Sequence, residues 1–119
     1  MQLSTQLSQP LSSWSFIADL KVADDAIIPR STVFEKGWRI SLTDNAVGKY
    51  YLQKLDGDFG PDVIDINQNG PFKKTQLDIN TTFKSPKVPG NYIVRYNLID
   101  PDGSKVPGPG TIYVKIVVQ

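Results

Sequence analysis

Hydrophobic and polar residues alternate along most of this chain, which is the pattern of β-strands with one buried face. The alternation is cleanest in residues 74–83, where Leu77, Ile79 and Phe83 stand against Gln76, Asp78 and Asn80. No window of ten or more residues has a helical period. The pattern predicts seven strands, over residues 14–20, 33–42, 50–55, 63–66, 74–83, 92–99 and 111–118.

Glycine and proline separate these runs, with nine of each spread through 119 residues. Asp100-Pro101-Asp102-Gly103 is a strong turn, because proline presets φ at its second position and glycine accepts positive φ at its fourth. Short strands with a turn every 8 to 12 residues or so are typical of sandwiches. We therefore predict an all-β, immunoglobulin-like antiparallel sandwich of seven to eight strands over residues 14–119, preceded by a flexible arm at 1–13.

Two side chains carry more specific structural predictions. Tyr92 opens a late strand directly after Pro89-Gly90-Asn91, where sandwich domains place a tyrosine whose hydroxyl bonds backbone a few residues upstream. Lys36 lies on the apolar side of its strand, near the strand start. We expect its ammonium group to reach water from there.

The composition excludes much chemistry. The chain has no cysteine and no histidine, so it lacks thiolate nucleophiles, zinc–thiolate sites and the usual general base. We predict that the domain is not an enzyme and holds no cofactor. With 13 basic and 12 acidic residues the net charge is +1, and nothing in it favours nucleic acid as a partner.

The start of the chain has no apolar stretch of signal-peptide length, and no segment approaches the ~20 apolar residues of a membrane helix. We therefore expect no membrane insertion and a cytoplasmic location. A place on a bacterial surface stays open if the chain is a piece of a larger protein.

Motifs along the chain resemble the four-tryptophan (FW) domain of the neighbour-of-BRCA-one autophagy receptors. The most specific one is Phe34-Glu35-Lys36-Gly37-Trp38-Arg39-Ile40, which is similar to the family's Trp-Arg strand. Pro89-Gly90-Asn91-Tyr92 followed by Tyr96 resembles a later strand. The resemblance runs from about residue 16 to 118 and implies an immunoglobulin-like module that binds proteins, with Phe34, Trp38, Arg39, Tyr92 and Tyr96 as its signature.

The chain also departs from that family. Only Trp38 of the four tryptophans is kept, Tyr96 and Tyr113 stand where the third and fourth belong, and the loop 43–49 has no tryptophan for the second. Exposed aromatic side chains are where binding energy concentrates. Tyr50 and Tyr51 are adjacent, so one must face away from the core, and Tyr113 lies opposite the aliphatic face of its strand. We predict that Tyr50 or Tyr51, and Tyr113, are the partner-binding aromatics.

A second candidate site in the sequence is a calcium-binding loop. Asp65, Asn67 and Asn69 followed by Gly70 match the first half of a calcium-binding loop. The twelfth position is Gln76, which cannot provide a bidentate carboxylate. The sequence favours an Asn/Gly turn between two strands at this place.

The sequence thus predicts a non-catalytic protein–protein interaction module that resembles the FW domain of autophagy cargo receptors. One alternative is a structural or assembly subunit that self-associates in a filament, virion or cell-surface protein. Another is a carbohydrate-binding sandwich that uses Tyr50, Tyr51 and the aspartate-rich loop.

Overall fold

The computed structural model describes residues 13–42, 49–66 and 76–119. Within these ranges the chain forms eight strands and no helix. They are β1 (Trp14–Lys21), β2 (Ala26–Ile28), β3 (Val33–Leu42), β4 (Tyr51–Asp56), β5 (Val63–Asp65), β6 (Gln76–Lys84), β7 (Gly90–Ile99) and β8 (Ile112–Val118).

The strands form two sheets, which confirms the predicted immunoglobulin-like sandwich. One sheet has three strands in the order β1-β3-β6, and the other has five in the order β2-β8-β7-β4-β5. A strand lies in each of the seven predicted ranges, and the short β2 is the eighth. The pairing is antiparallel, as predicted, except that the short β2 runs parallel to β8.

The parallel pair follows from the path of the chain between the sheets. After β1 the chain leaves the three-stranded sheet through a tight turn in which Val22 and Asp25 have positive φ angles of 58° and 63°. It then forms β2 beside the last three residues of β8. The segment from β1 to β2 therefore provides one edge strand of each sheet.

The core consists of the inward side chains of both sheets. Each core residue is at least nine-tenths buried. The aromatic core residues are Trp14, Trp38, Tyr50, Phe59, Phe83 and Tyr96. Phe83 lies at the centre of the aromatic packing, stacked on Phe34 and edge-on to Trp38 at 6.3 Å between ring centroids. Edge-to-face contacts of this kind stabilise the core beyond what the buried ring area alone contributes.

Trp38 is buried in this core, and only 1% of its surface is exposed. Its indole Nε1 donates a hydrogen bond of 2.9 Å to the backbone carbonyl of Tyr113. Trp38 lies in β3 and Tyr113 in β8, so this bond joins the two sheets. A buried indole N–H normally needs such an acceptor.

In β1 the sequence prediction is partly wrong. The pairing of β1 with β3 shifts between Phe16 and Ala18, and again between Asp19 and Lys21. Because a shift of one residue turns the following side chains to the other face, Asp19 comes to lie opposite Trp38. The inner face at this point therefore carries an aspartate, which the alternation in residues 14–20 does not indicate.

Two local predictions are confirmed. The Tyr92 hydroxyl donates a 2.6 Å hydrogen bond to the carbonyl of Val88, four residues upstream, as expected for a tyrosine corner. In the turn at residues 100–103, Asp100 Oδ1 accepts hydrogen bonds from the backbone N–H groups of Asp102 and Ser104. Gly103 has a φ of 87° there.

Replacing Trp38 tests the bond between the sheets. We expect Trp38→Ala to lower the free energy of unfolding by about 3–5 kcal/mol, because it removes a large core side chain. Trp38→Phe keeps an aromatic ring but removes the donor to the Tyr113 carbonyl, and should lower it by about 1–3 kcal/mol. Urea unfolding followed by circular dichroism measures both.

The control is Phe16→Ala, which deletes an aromatic ring that is 48% exposed. It should change the free energy of unfolding by less than about 1 kcal/mol. A Trp38→Phe variant as stable as the original protein would contradict a structural role for the indole bond.

Candidate binding cleft

A cleft of about 460 Å³ opens between β1 of one sheet and β8 of the other. Within the described ranges, β2 pairs only with residues 116–118 of β8. The first half of β8 therefore faces β1 across a gap that side chains line. The walls are provided chiefly by Trp14, Phe16, Asp19, Asp24, Trp38 and Tyr113; we call this site the β1–β8 cleft.

Two tryptophans form the inner wall of the β1–β8 cleft. Trp38 is held by its bond to the Tyr113 carbonyl. The Trp14 backbone N–H donates to the carbonyl of Pro107 at 2.8 Å. A Cβ at Gly108 would lie 2.0 Å from Trp14 Nε1, so the close approach of this loop to the indole requires glycine.

Two aromatic side chains form the rim. Phe16 is 48% exposed and Tyr113 is 37% exposed, although both line the same cleft. Large aromatic side chains with this much surface in water are candidates for contact with a partner. Tyr113 is exposed, as the sequence predicted, whereas Phe16 was not among the predicted partner-binding aromatics.

The carboxylate of Asp24 contacts the Tyr113 phenol. Its hydroxyl donates a 3.0 Å hydrogen bond to Asp24 Oδ2. This bond, and then the charge of Asp24, raise the pKa of Tyr113 above its usual value, and the charges of Asp19 and Asp25 raise it further. Negative charge near a phenol disfavours its ionised form. Asp24 therefore places a negative charge at this rim, although the whole chain has a net charge of only +1.

Behind the cleft lies a buried ion pair. Lys36 is 1% exposed, and its Nζ donates to Asp19 Oδ1 at 2.5 Å and to the Val22 carbonyl at 2.6 Å. The ammonium also lies 5.6 Å from the centre of the Trp38 ring, within the range of a cation–π contact. The prediction that this ammonium reaches water is therefore wrong. Burial is tolerated because the carboxylate, the carbonyl and the ring replace water around it.

The Val22 carbonyl reaches Lys36 from a strained backbone. Val22 has a φ of 58°, a conformation that a β-branched residue rarely adopts. Such strain persists where surrounding contacts compensate for it. Here the compensating contact is the bond to the buried ammonium, which no pattern in the sequence indicated.

A second depression of about 520 Å³ adjoins the cleft on the outer face of β7 and β8. It shares Ile93, Arg95 and Tyr113 with the cleft. The Arg95 guanidinium is paired with Asp56, because its Nη1 donates to both carboxylate oxygens at 3.0 and 3.2 Å. The cleft and the depression form one continuous concave surface.

The structure separates the tyrosines that the sequence grouped as partner-binding candidates. Tyr50 is 8% exposed and belongs to the core, so it is not the exposed member of the adjacent pair. Tyr51 is half-buried in β4, on the far side of β7 from Tyr113. The platform of Tyr50 and Tyr51 that a carbohydrate-binding site would use is therefore not formed.

Most of the FW-like signature is structural in this protein. Phe34, Trp38, Tyr92 and Tyr96 pack in or against the core, and the Tyr96 hydroxyl donates to the Pro61 carbonyl at 2.7 Å. Burial, and then the charge of Asp62, raise the pKa of Tyr96. Arg39 instead forms two bonds to Asp78 of β6, at 2.8 and 3.0 Å. Only Trp38 of the signature lines the cleft.

The other predicted features lie partly outside the described residues. Asp65 is exposed at the end of β5, while Asn67, Asn69 and residues 1–12 of the N-terminal arm lie outside the described ranges. Among residues 13–42, 49–66 and 76–119 there is no group of three acidic side chains placed to hold a metal ion. The same ranges contain no helix long and apolar enough to span a membrane.

Comparison with known proteins identifies a stretch of similar sequence and two similar folds. No protein-family model matches the chain. The chain is 31% identical over 97 residues to protein JOKA2 of Solanum tuberosum; the match covers 76% of this chain and 11% of that much longer protein.

Two solved structures have a similar fold. A Niemann-Pick type C2 protein from the Japanese carpenter ant has a TM-score of 0.59 and 11% identity, covering 93% of this chain and 96% of its own. The CARDB domain of PF1109 from Pyrococcus furiosus has a TM-score of 0.53 and 10% identity, covering 90% and 93%. These similarities establish the fold class alone.

The buried ion pair can be tested by its removal. We expect Lys36→Met to lower the free energy of unfolding by about 1–3 kcal/mol, since Asp19 and the Val22 carbonyl lose their shared donor. The double variant Lys36→Met/Asp19→Asn should recover part of that loss, because it leaves no unpaired charge. Lys21→Met, which removes the exposed Lys21–Glu35 pair, should change stability by less than about 0.5 kcal/mol. Equal losses in Lys36→Met and Lys21→Met would contradict the burial of Lys36.

The acidic rim can be tested by titration of Tyr113. NMR of the labelled tyrosine rings should show a pKa for Tyr113 above the ordinary value of about 10, and Asp24→Asn should bring it down. Because the pKa of Tyr113 is raised in the folded state, the phenol–Asp24 contact adds to the free energy of unfolding below pH ~10. This contribution is lost as the pH rises through the folded-state pKa. Asp102→Asn, in a distant turn, should leave the Tyr113 titration unchanged; an unshifted titration in Asp24→Asn would contradict the contact.

Proposed function

We propose that this domain is a non-catalytic protein-interaction module, of the kind represented by the FW domain of autophagy cargo receptors, and that its partner docks on the β1–β8 cleft. The observation that supports the proposal most directly is the pair Phe16 and Tyr113. Both keep a large exposed aromatic surface on opposite sides of a cleft whose inner wall is apolar. Interfaces concentrate their binding energy in such aromatic anchors beside water-excluding pockets.

The cleft is also well organised before any partner arrives. The Tyr113 backbone is held by Trp38, its hydroxyl is held by Asp24, and Gly108 packs directly on Trp14. A binding surface with ordered side chains loses little conformational entropy on association. This organisation supports recognition of a partner by a preformed site.

The sequence supports a module of this class in two ways. The Phe34-Glu35-Lys36-Gly37-Trp38-Arg39-Ile40 strand resembles the FW pattern, and the chain lacks the histidine and cysteine side chains that most often serve acid–base and nucleophilic catalysis. The similarity to 11% of the JOKA2 chain fits a domain-sized unit that also occurs within longer proteins.

Assembly with further copies is the second candidate, favoured by β6. This nine-residue strand pairs with β3 in an uninterrupted register from Val33↔Lys84 to Ser41↔Gln76, and in the described ranges β3 is its one partner strand. A regular outer strand can accept a strand from another chain. Light scattering over a range of protein concentrations separates this candidate from a monomeric interaction module.

The interaction proposal can be tested by affinity capture from lysate of the source cells. We expect the immobilised domain to retain a small set of proteins, and the double variant Phe16→Ala/Tyr113→Ala to retain those proteins at least ~10-fold less, because both anchors are lost. Quantitative mass spectrometry of the retained proteins gives the ratio.

The matched control is Val33→Ala, which also truncates an exposed side chain. Val33 begins β3, whereas β1 pairs with the other end of that strand, near Leu42. The control variant should retain the same proteins as the original domain. Circular dichroism confirms that each variant is folded. Equal retention by the folded double variant would refute the cleft as the docking site.

A further inference from the structure

We propose that the β1–β8 cleft receives an arginine side chain of the partner protein, with the guanidinium between Phe16 and Tyr113 and bonded to Asp24. This inference rests on the proposed function and adds the chemistry of the partner. The occupant follows from the shape and the charge of the cleft taken together.

The aromatic walls suit a flat cation. Phe16 and Tyr113 present exposed rings at the rim, and the cleft between them has a volume of about 460 Å³. A guanidinium is planar and weakly hydrated, so it stacks on aromatic faces at a smaller desolvation penalty than an ammonium. Its aliphatic stem can pack along the apolar wall near Trp14 and Trp38.

Among the described residues at the cleft, the Asp24 carboxylate is not paired with a cation and is open to a ligand. The cations near the cleft are each engaged with an acid: Lys36 with Asp19, Arg95 with Asp56, and Lys115 with Asp25. Asp24 differs, because its bond is to the neutral hydroxyl of Tyr113. A carboxylate has about four lone-pair positions, so Asp24 can accept that hydrogen bond and a guanidinium at the same time.

The surroundings favour a cation over an anion. The Asp24 carboxylate lies at the rim, within hydrogen-bond distance of the Tyr113 hydroxyl, and within the described residues it has no ion-pair partner. An acidic side chain placed there would be repelled. A guanidinium would form charge-assisted bonds to Asp24, which are stronger than bonds between neutral groups.

The test is an NMR titration of the nitrogen-labelled domain with the blocked peptide acetyl-Ala-Arg-Ala-amide. The chain has two tryptophans, and both line the cleft, so their two indole N–H signals report directly on its occupancy. We expect saturable shifts of the indole signals and of the Tyr113 amide. The matched peptide with citrulline, which keeps the shape but not the charge, should bind at least ~5-fold more weakly.

Variants identify the carboxylate. Asp24→Asn should weaken binding of the arginine peptide at least ~5-fold, whereas Asp102→Asn should leave the affinity unchanged. Tyr113→Ala should also weaken it, through loss of the stacking surface. A lysine peptide should bind more weakly than the arginine peptide, since its ammonium does not stack in the same way.

Three results would overturn the inference: citrulline and arginine peptides that bind equally, indole signals that do not move, or an Asp24→Asn variant with full affinity. These results are distinct from failure of the proposed function. If capture of partner proteins depends on Phe16 and Tyr113 while the arginine peptide fails to bind, the cleft is a docking site for another chemistry and only this inference falls.

Discussion

The hydrogen bond from Trp38 to the Tyr113 carbonyl is the contact on which the rest of this sandwich depends. The outer edge of β8 is covered by β2 only over residues 116–118, so the Tyr113 carbonyl projects from a strand edge toward the other sheet. A polar backbone group in that position needs a donor. The indole of Trp38 provides it, and in doing so fixes the distance between the sheets where they would otherwise part.

The placement of Lys36 follows from the same arrangement. The bulges of β1 turn Asp19 to the face of Trp38, and a carboxylate on that face requires a counter-charge. Lys36 supplies it from within the sandwich, together with the strained carbonyl of Val22. A buried ion pair is weak support for stability in itself. Its effect here is geometric, because it ties β1, the following turn and β3 to one another behind the cleft.

The cleft illustrates how a nearly neutral protein acquires a selective surface. The whole chain carries a net charge of +1, yet the Asp24 carboxylate lies at the rim against the neutral Tyr113 hydroxyl, while the nearby cations are bonded to other acids. Selectivity of this kind lies in the site and not in the scaffold. The scaffold itself is shared with proteins that are only 10–11% identical to this chain.

The sequence by itself determined the strands, the turns and the tyrosine corner, because each depends on residues close together in the chain. Alternation places Leu77, Ile79 and Phe83 in the core through the two-residue period of a strand, and Tyr92 reaches a carbonyl only four residues away. Only the tertiary structure decided that Asp19 faces inward, that Lys36 is buried and that Tyr50 belongs to the core. A one-residue bulge reverses the face that the following side chains occupy, and the pattern of alternation does not indicate where such a bulge lies. The cleft depends on contacts such as Trp38 to Tyr113, which are 75 residues apart, and such contacts exist only once two sheets have closed on each other.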